Sequence, residues 1–211
     1  MRIFDLSLYL VTDSEGMTQD VFLNKLDAAL SNGVTLLQLR EKDKVTCDYF
    51  ALAQNVKKIA AKHNIPLIID DRIDVALACG ADGVHLGQED MPVDVARKIM
   101  GRDSILGATA KTVEQAQRAQ QLGANYLGVG AIYPTKTKVK TVLTSIDTLR
   151  DICAAVTIPV VAIGGLNSNN LSIVHKSGIS GISVVSAIMK ADYPGEEAKL
   201  LLQKVKKILF G

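Results

Sequence analysis

Eight short apolar runs punctuate this chain, separated by longer stretches with helical spacing, and no other feature limits its possible folds as much. The runs cover residues 8–12, 36–40, 67–70, 83–86, 105–108, 126–130, 160–163 and 181–185. Most are continuously apolar, as expected of parallel strands covered on both faces, where a half-solvated strand would alternate. Between them, Leu52, Val56, Ile59 and Ala60 mark the apolar stripe of one helix, and Val93, Ala96, Ile99 and Met100 mark another. Glycine follows the expected helix end at Gly33, Gly80, Gly123 and Gly178, where it caps a helix cheaply in a left-handed conformation. Strand–helix units with short returns predict a parallel sheet, and eight of them without an antiparallel interruption favour a closed (β/α)8 TIM barrel. The 211 residues suit one such domain over 1–211, and no Pro-, Gly- or Ser-rich linker divides them. The third unit is short, with a turn or two of helix around 75–79.

Charge narrows the partners. The formal net charge is +2, and the densest basic stretch is Lys199, Lys204, Lys206 and Lys207. Apolar Ala198, Leu201, Leu202, Val205, Ile208 and Leu209 interleave with these lysines, which reads as an amphipathic helix with its lysines in water rather than a nucleic-acid track. Cys47, Cys79 and Cys153 are scattered and odd in number, so neither a disulfide framework nor metal-ligand spacing emerges. The first residues, Met1 to Asp5, lack a signal-peptide core, and no apolar run approaches the roughly 20 residues that span a bilayer. The expectation is a reduced cytoplasmic protein with no nucleic-acid or membrane partner; a homo-oligomer stays open.

In such barrels, function sits in the loops after the strands. Gln38, Arg40 and Lys42 share one side of the second run and its continuation, and two cations with an amide at a barrel mouth suit an anion; an ion pair with Glu41 is the plainer alternative. Asp70 and Asp71 follow the third run and Asp90 follows the fourth. Carboxylates at adjacent strand ends suit a hard cation such as Mg2+, although Asp74 and Asp90 would also serve as helix N-caps. After the sixth run come Thr135, Lys136, Thr137 and Lys138, polar enough for a phosphate, in a segment reaching to Ile146 that could act as a lid. Gly164-Gly165-Leu166-Asn167 leads into a helix near Asn169, and Val185-Ser186 follows the last run. Loops seven and eight often hold phosphate in this fold. His63 and His175 read as surface residues, and His85 as a packed, hydrogen-bonded one. Neither a hydrolytic triad nor a dinucleotide fingerprint is present.

Taken in order, Gln38-Leu39-Arg40-Glu41-Lys42, Asp71-Arg72-Ile73-Asp74-Val75-Ala76-Leu77, Gly83-Val84-His85-Leu86-Gly87-Gln88-Glu89-Asp90, Leu127-Gly128-Val129-Gly130, Pro134-Thr135-Lys136-Thr137-Lys138 and Ile163-Gly164-Gly165 resemble the thiamine phosphate synthase family. The resemblance runs from about Leu8 to the C-terminus. It implies a transferase that joins a hydroxymethylpyrimidine pyrophosphate to a thiazole phosphate with release of pyrophosphate, by a dissociative route. By the same resemblance, Gln38, Arg40 and Lys42 hold the pyrimidine pyrophosphate with Lys138 also on its phosphates, Arg40, Lys42 and Lys138 act on the leaving group, Asp70 stands where the pyrimidine is contacted, and Leu39, Glu41, Thr109 and Lys136 also bind substrate. Thr135, Thr137, Gly165, Val185 and Ser186 surround the thiazole phosphate, and Asp71 and Asp90 hold Mg2+. The chain departs from the family pattern at three places. Asp70 stands where Asn is common, Lys111 where His is common, and Val139-Lys140-Thr141-Val142 follows Lys138 where an Asp-Ala pair is usual. Two rival readings are a sugar-phosphate isomerase or epimerase barrel and a TenI-like barrel that binds thiazole phosphate without coupling it.

Overall fold

In the computed structural model, which describes residues 4–135 and 142–210, the eight runs are eight parallel strands closed into a barrel. They are β1 Leu8–Val11, β2 Leu36–Leu39, β3 Leu67–Asp70, β4 Gly83–Leu86, β5 Ile105–Ala110, β6 Tyr126–Gly130, β7 Val160–Ile163 and β8 Gly181–Val184. Each pairs with the next, and β8 returns to β1 with Ser183 opposite Tyr9. β1, β2 and β8 each end one residue earlier than the apolar pattern predicts, and β5 runs two residues longer. At the first pair of ends a side chain replaces the ladder: the Thr12 hydroxyl accepts from the Arg40 N–H at 3.0 Å.

Alternation along each strand divides the core in two. Leu8, Leu10, Leu37, Leu39, Ile69 and Leu106 point outward beneath the helices. Tyr9, Leu36, Ile68, Ile105, Tyr126 and Val161 point inward and fill the barrel. Burial of each such aliphatic side chain contributes about 1.5–3 kcal/mol. Both populations are apolar, which explains why the strands read as unbroken runs.

The outer layer contains α1 Gln19–Leu30, α2 Thr46–Lys62, α3 Ile73–Cys79, α4 Val93–Met100, α5 Val113–Gln121, α6 Ile146–Ala155, α7 Ser186–Met189 and α8 Pro194–Phe210. Thr18, Thr112 and Ser145 cap α1, α5 and α6 by accepting backbone N–H groups of the first turn. α1 buries Phe22, Leu26, Ala29 and Leu30, and packs beside α8 to close the ring. Gly80 ends α3 in the left-handed conformation, with φ 64°. On the face opposite the loops that follow the strands, Arg97 donates to the carbonyls of Gly123, Gly101 and Ser104 and to Asn125 Oδ1, locking the turns into β5 and β6.

Several expectations need correction. Asp74 is not an N-cap: Arg72 holds that position, and its guanidinium grips the Asp74 carboxylate, keeping the acid below its usual range. Asp90 does not cap α4 either, because Pro92 occupies the cap; its carboxylate accepts from the Gly87 N–H at 2.6 Å. The helix expected near Asn169 is a single 3-10 turn, Leu171–Val174. Lys204 is not a free surface lysine, since its ammonium donates to the Ser168 carbonyl at 2.7 Å and braces the loop after β7. His63 is half-buried, with Nε2 2.7 Å from Asp27. His175 is exposed as expected. Among the described residues, no helix is long and apolar enough to cross a membrane. All three cysteines are free, and burial pushes the Cys153 thiol up to about 11, which keeps it protonated.

Candidate active site

The C-terminal ends of the strands open into one cleft. β1 and the end of β2 bring Tyr9, Gln38 and Arg40 to its wall, and β3 and β4 bring Asp70 and His85. β5 and its loop add Thr109 and Lys111, and the loop after β6 adds Thr135. The opposite wall is Gly164, Gly165, Ser183, Val185 and Ser186. Cationic side chains therefore gather on the β2–β5 side, and glycine backbone with small hydroxyls on the β7–β8 side.

A chain of hydrogen bonds crosses the floor. Gln38 Nε2 donates to the Tyr9 hydroxyl at 2.5 Å, and the Tyr9 and Tyr126 hydroxyls lie 2.7 Å apart. His85 Nδ1 is 3.1 Å from the Tyr126 hydroxyl, and its Nε2 is 3.0 Å from Thr109 Oγ1. Two glycines make room for it. A Cβ on Gly107 would lie 2.2 Å from the Tyr126 ring and 2.4 Å from His85 Nδ1, and one on Gly128 would lie 3.2 Å from His85 Cε1. Burial pushes both tyrosines well above their usual pKa, so the phenols remain neutral hydrogen-bonding groups rather than bases.

A charged cluster lies at the rim. Lys42 Nζ is 3.0 Å from Asp70 Oδ2 and also contacts the Asp71 carboxylate, while Arg40 Nε is 3.8 Å from Asp70 Oδ2. Arg40 and Lys42 are thus paired with aspartates, while Glu41 makes a long contact with Lys44, at 3.7 Å, and accepts from the Ser14 hydroxyl at 2.9 Å. Asp71 adopts a left-handed backbone, with φ 59°, and its N–H is held by the His85 carbonyl at 2.9 Å. Such a conformation costs a non-glycine residue energy and is concentrated at functional sites. On the far wall, Gly165 has φ +67°, and a Cβ there would come within 2.6 Å of Tyr133 Cβ. The loops after β6 and β7 therefore touch across this residue.

The whole-chain comparisons agree with this architecture. The family model described as thiamine monophosphate synthase matches residues 8–188. The chain belongs to that family. It is 48% identical over 204 residues to thiamine-phosphate synthase 2 of Streptococcus pneumoniae, covering 97% of each chain. It is also 48% identical over 206 residues to the thiamine-phosphate synthase of Methanobrevibacter smithii, covering 98% of each. The solved structure of thiamine phosphate pyrophosphorylase from Pyrococcus furiosus superposes with a TM-score of 0.88 at 36% identity, covering 97% of both chains. As a member of the thiamine monophosphate synthase family, the protein is a transferase of thiamine biosynthesis.

Of the site residues expected from the sequence, Gln38, Arg40, Asp70, Thr109, Thr135, Gly165, Val185 and Ser186 line the cleft. Lys42, Asp71 and Asp90 stand outside its lining, the first two paired with each other at the rim. Leu39 points outward into the core beneath the helices, so only its backbone faces the β2 ladder. Glu41 supports the loop through Ser14 and Lys44. Lys136, Thr137 and Lys138 lie outside the described residues, as do residues 139–141 of the expected lid. Sequence reasoning missed Tyr9, Tyr126, Ser183 and, as a cleft residue, Lys111. Glycines inside β5 and β6 were a usable signal, because glycine in a strand interior often marks a close approach by another group.

Proposed function

We propose that this member of the family couples hydroxymethylpyrimidine pyrophosphate with hydroxyethylthiazole phosphate, giving thiamine phosphate and pyrophosphate. The observation that carries the reading is the division of one cleft into two chemically different walls. Gln38, Arg40 and Asp70 form one, and Gly165, Val185 and Ser186 form the other. One wall supplies the Arg40 guanidinium and the Gln38 amide for a diphosphate and an aminopyrimidine. The other supplies backbone and hydroxyl donors for a monophosphate. A heteroaromatic ring from each substrate then reaches the shared floor.

Catalysis on this reading is electrostatic. Arg40 and Lys42, with Lys138 from the loop after β6, neutralise the diphosphate as its carbon–oxygen bond breaks, and removing one such donor typically costs about 10²–10³ in rate. The neutral floor hydroxyls and the Gln38 amide hold the pyrimidine without competing as nucleophiles. The thiazole nitrogen then attacks the exposed cationic carbon. Asp71 and Asp90 belong to the loops after the adjacent strands β3 and β4. Among the described residues, no group of three or more His, Cys, Asp or Glu side chains is placed to hold a metal ion. These two carboxylates would hold Mg2+, a hard cation that prefers oxygen ligands. When bound, Mg2+ would add positive charge beside the departing diphosphate.

The test is direct: purified protein, both substrates and Mg2+, followed for thiamine phosphate. Formation of product with stoichiometric pyrophosphate is expected. Tight binding of thiazole phosphate without coupling would replace this reading with the TenI-like one.

A further inference from the structure

The cleft contains one polar group that the protein leaves unanswered. Ser183 lies on β8, and its residue is only 1% exposed. Its hydroxyl is buried and has no hydrogen-bond partner among the described residues. Its register neighbours are Tyr9 on β1 and Ile163 on β7, and all three line the cleft. Tyr9 is already engaged by Gln38 and Tyr126, and Ile163 offers an aliphatic side chain. Buried hydroxyls are almost always paired, and an unpaired one at a ligand cleft calls for a specific explanation.

We propose that Ser183 is a specificity-determining residue for the pyrimidine substrate, its hydroxyl hydrogen-bonding a ring nitrogen or the exocyclic amine of an aminopyrimidine seated on Tyr9 and Gln38. The inference rests on the coupling reading above and deepens it. Chemistry chooses between the two substrates. Alternation places Ser183 one inward layer below Val185, about 7 Å along the strand from the rim where a phosphate would sit, so it meets a ring. The thiazole nitrogen is the nucleophile and must keep its lone pair for attack, and a thioether-like sulfur accepts weakly. An aminopyrimidine presents two ring acceptors and an amine donor, and a hydroxyl can serve either role. Gln38, whose amide donates to the Tyr9 hydroxyl and which also lines the cleft, provides a second contact to the same ring, so the two together distinguish an aminopyrimidine from a ring of the same shape without nitrogen. A site built to hydrogen-bond a ligand rejects the analogue lacking that group, because its own polar atoms stay unpaired.

Ser183→Ala separates this role from a packing role. Titration calorimetry with the pyrimidine pyrophosphate and Mg2+, thiazole absent, should show Kd rising about three- to tenfold, the loss of one neutral hydrogen bond. The Kd for thiazole phosphate should change less than twofold. Removal of a buried orphan hydroxyl should also raise Tm of the free protein, by about 2–4 °C. Ser183→Cys, which keeps the volume but donates weakly, should match alanine in affinity and serves as the second variant if alanine fails to fold. An analogue with CH in place of the contacted ring nitrogen should bind wild type and Ser183→Ala equally. Unchanged pyrimidine affinity, a loss confined to thiazole phosphate, or a lowered Tm with equal losses for both ligands would each overturn the assignment. Failure of the wild type to form thiamine phosphate would instead sink the coupling reading, and the single-ligand titration would still report on Ser183.

Discussion

Asp70 restrains the two cations, Arg40 and Lys42, that the proposed function assigns to the leaving group. Its carboxylate lies 3.0 Å from Lys42 and 3.8 Å from Arg40, and it lines the cleft. The resembled family often carries Asn there, which would keep a hydrogen-bonding oxygen and drop the charge. Asp70→Asn should therefore lower KM for the pyrimidine pyrophosphate by about two- to fivefold, the scale of a partly exposed ion pair released to a new anion. The KM for thiazole phosphate should stay put, and initial-rate kinetics with each substrate varied in turn reads both. A rise in the pyrimidine KM would mean that Asp70 itself holds the ring. At this scale the sequence was legible where neighbours along the chain set the outcome. Alternation alone placed Gln38 and Arg40 on the cleft. It did not place Lys42, because β2 ends at Leu39 and the loop beyond it folds the ammonium onto the end of β3. Nor could it pair Tyr9 with Tyr126 and His85, whose contacts cross the barrel between β1, β4 and β6.

Among the elements, the strands were read almost to the residue because burial on both faces leaves an unbroken apolar signature. The segments after β7 and β8 were less legible. Their helical portions are one turn each, Leu171–Val174 and Ser186–Met189, too short for a hydrophobic period to show. Short turns have little macrodipole, so an anion there would depend on individual N–H groups and on the loops holding their shape. Gly165 is the joint between those loops. With φ +67° and Tyr133 Cβ 2.6 Å from any Cβ added to it, Gly165→Val must displace the loop after β6 or the loop after β7. The expected result is a KM for thiazole phosphate raised at least about tenfold, with a smaller change for the pyrimidine pyrophosphate, since Gly165 itself lies on the wall opposite Gln38, Arg40 and Asp70. Equal increases for both substrates would argue against separate phosphate subsites.

For the molecule as a whole, the polar floor that serves the cleft also ties its stability to pH. Burial raises the pKa of Tyr9 and Tyr126 inside the barrel and of Tyr49 on α2, whose hydroxyl donates to the Leu39 carbonyl at 2.8 Å. A tyrosine whose folded pKa exceeds its unfolded value contributes stability that is fully present below the unfolded pKa, about 10. That contribution fades as pH climbs from there towards the folded pKa, because only the unfolded chain releases the proton. The barrel should therefore weaken on the alkaline side, by up to about 1.4 kcal/mol per pH unit for each tyrosine above pH 10. Urea midpoints measured at pH 8, 9, 10 and 11 would trace the fall. In Tyr9→Phe one proton-releasing group is gone, so the curve should start lower at pH 8, where Gln38 and Tyr126 lose a partner, at a cost of about 1–3 kcal/mol. It should then descend less steeply than wild type above pH 10. Lysines also titrate in this range, but they are common to both chains and cancel in the difference. Parallel curves for the two proteins would show that the Tyr9 phenol ionises as readily inside the barrel as in the unfolded chain, and the neutral floor assigned to the cleft would have to be abandoned.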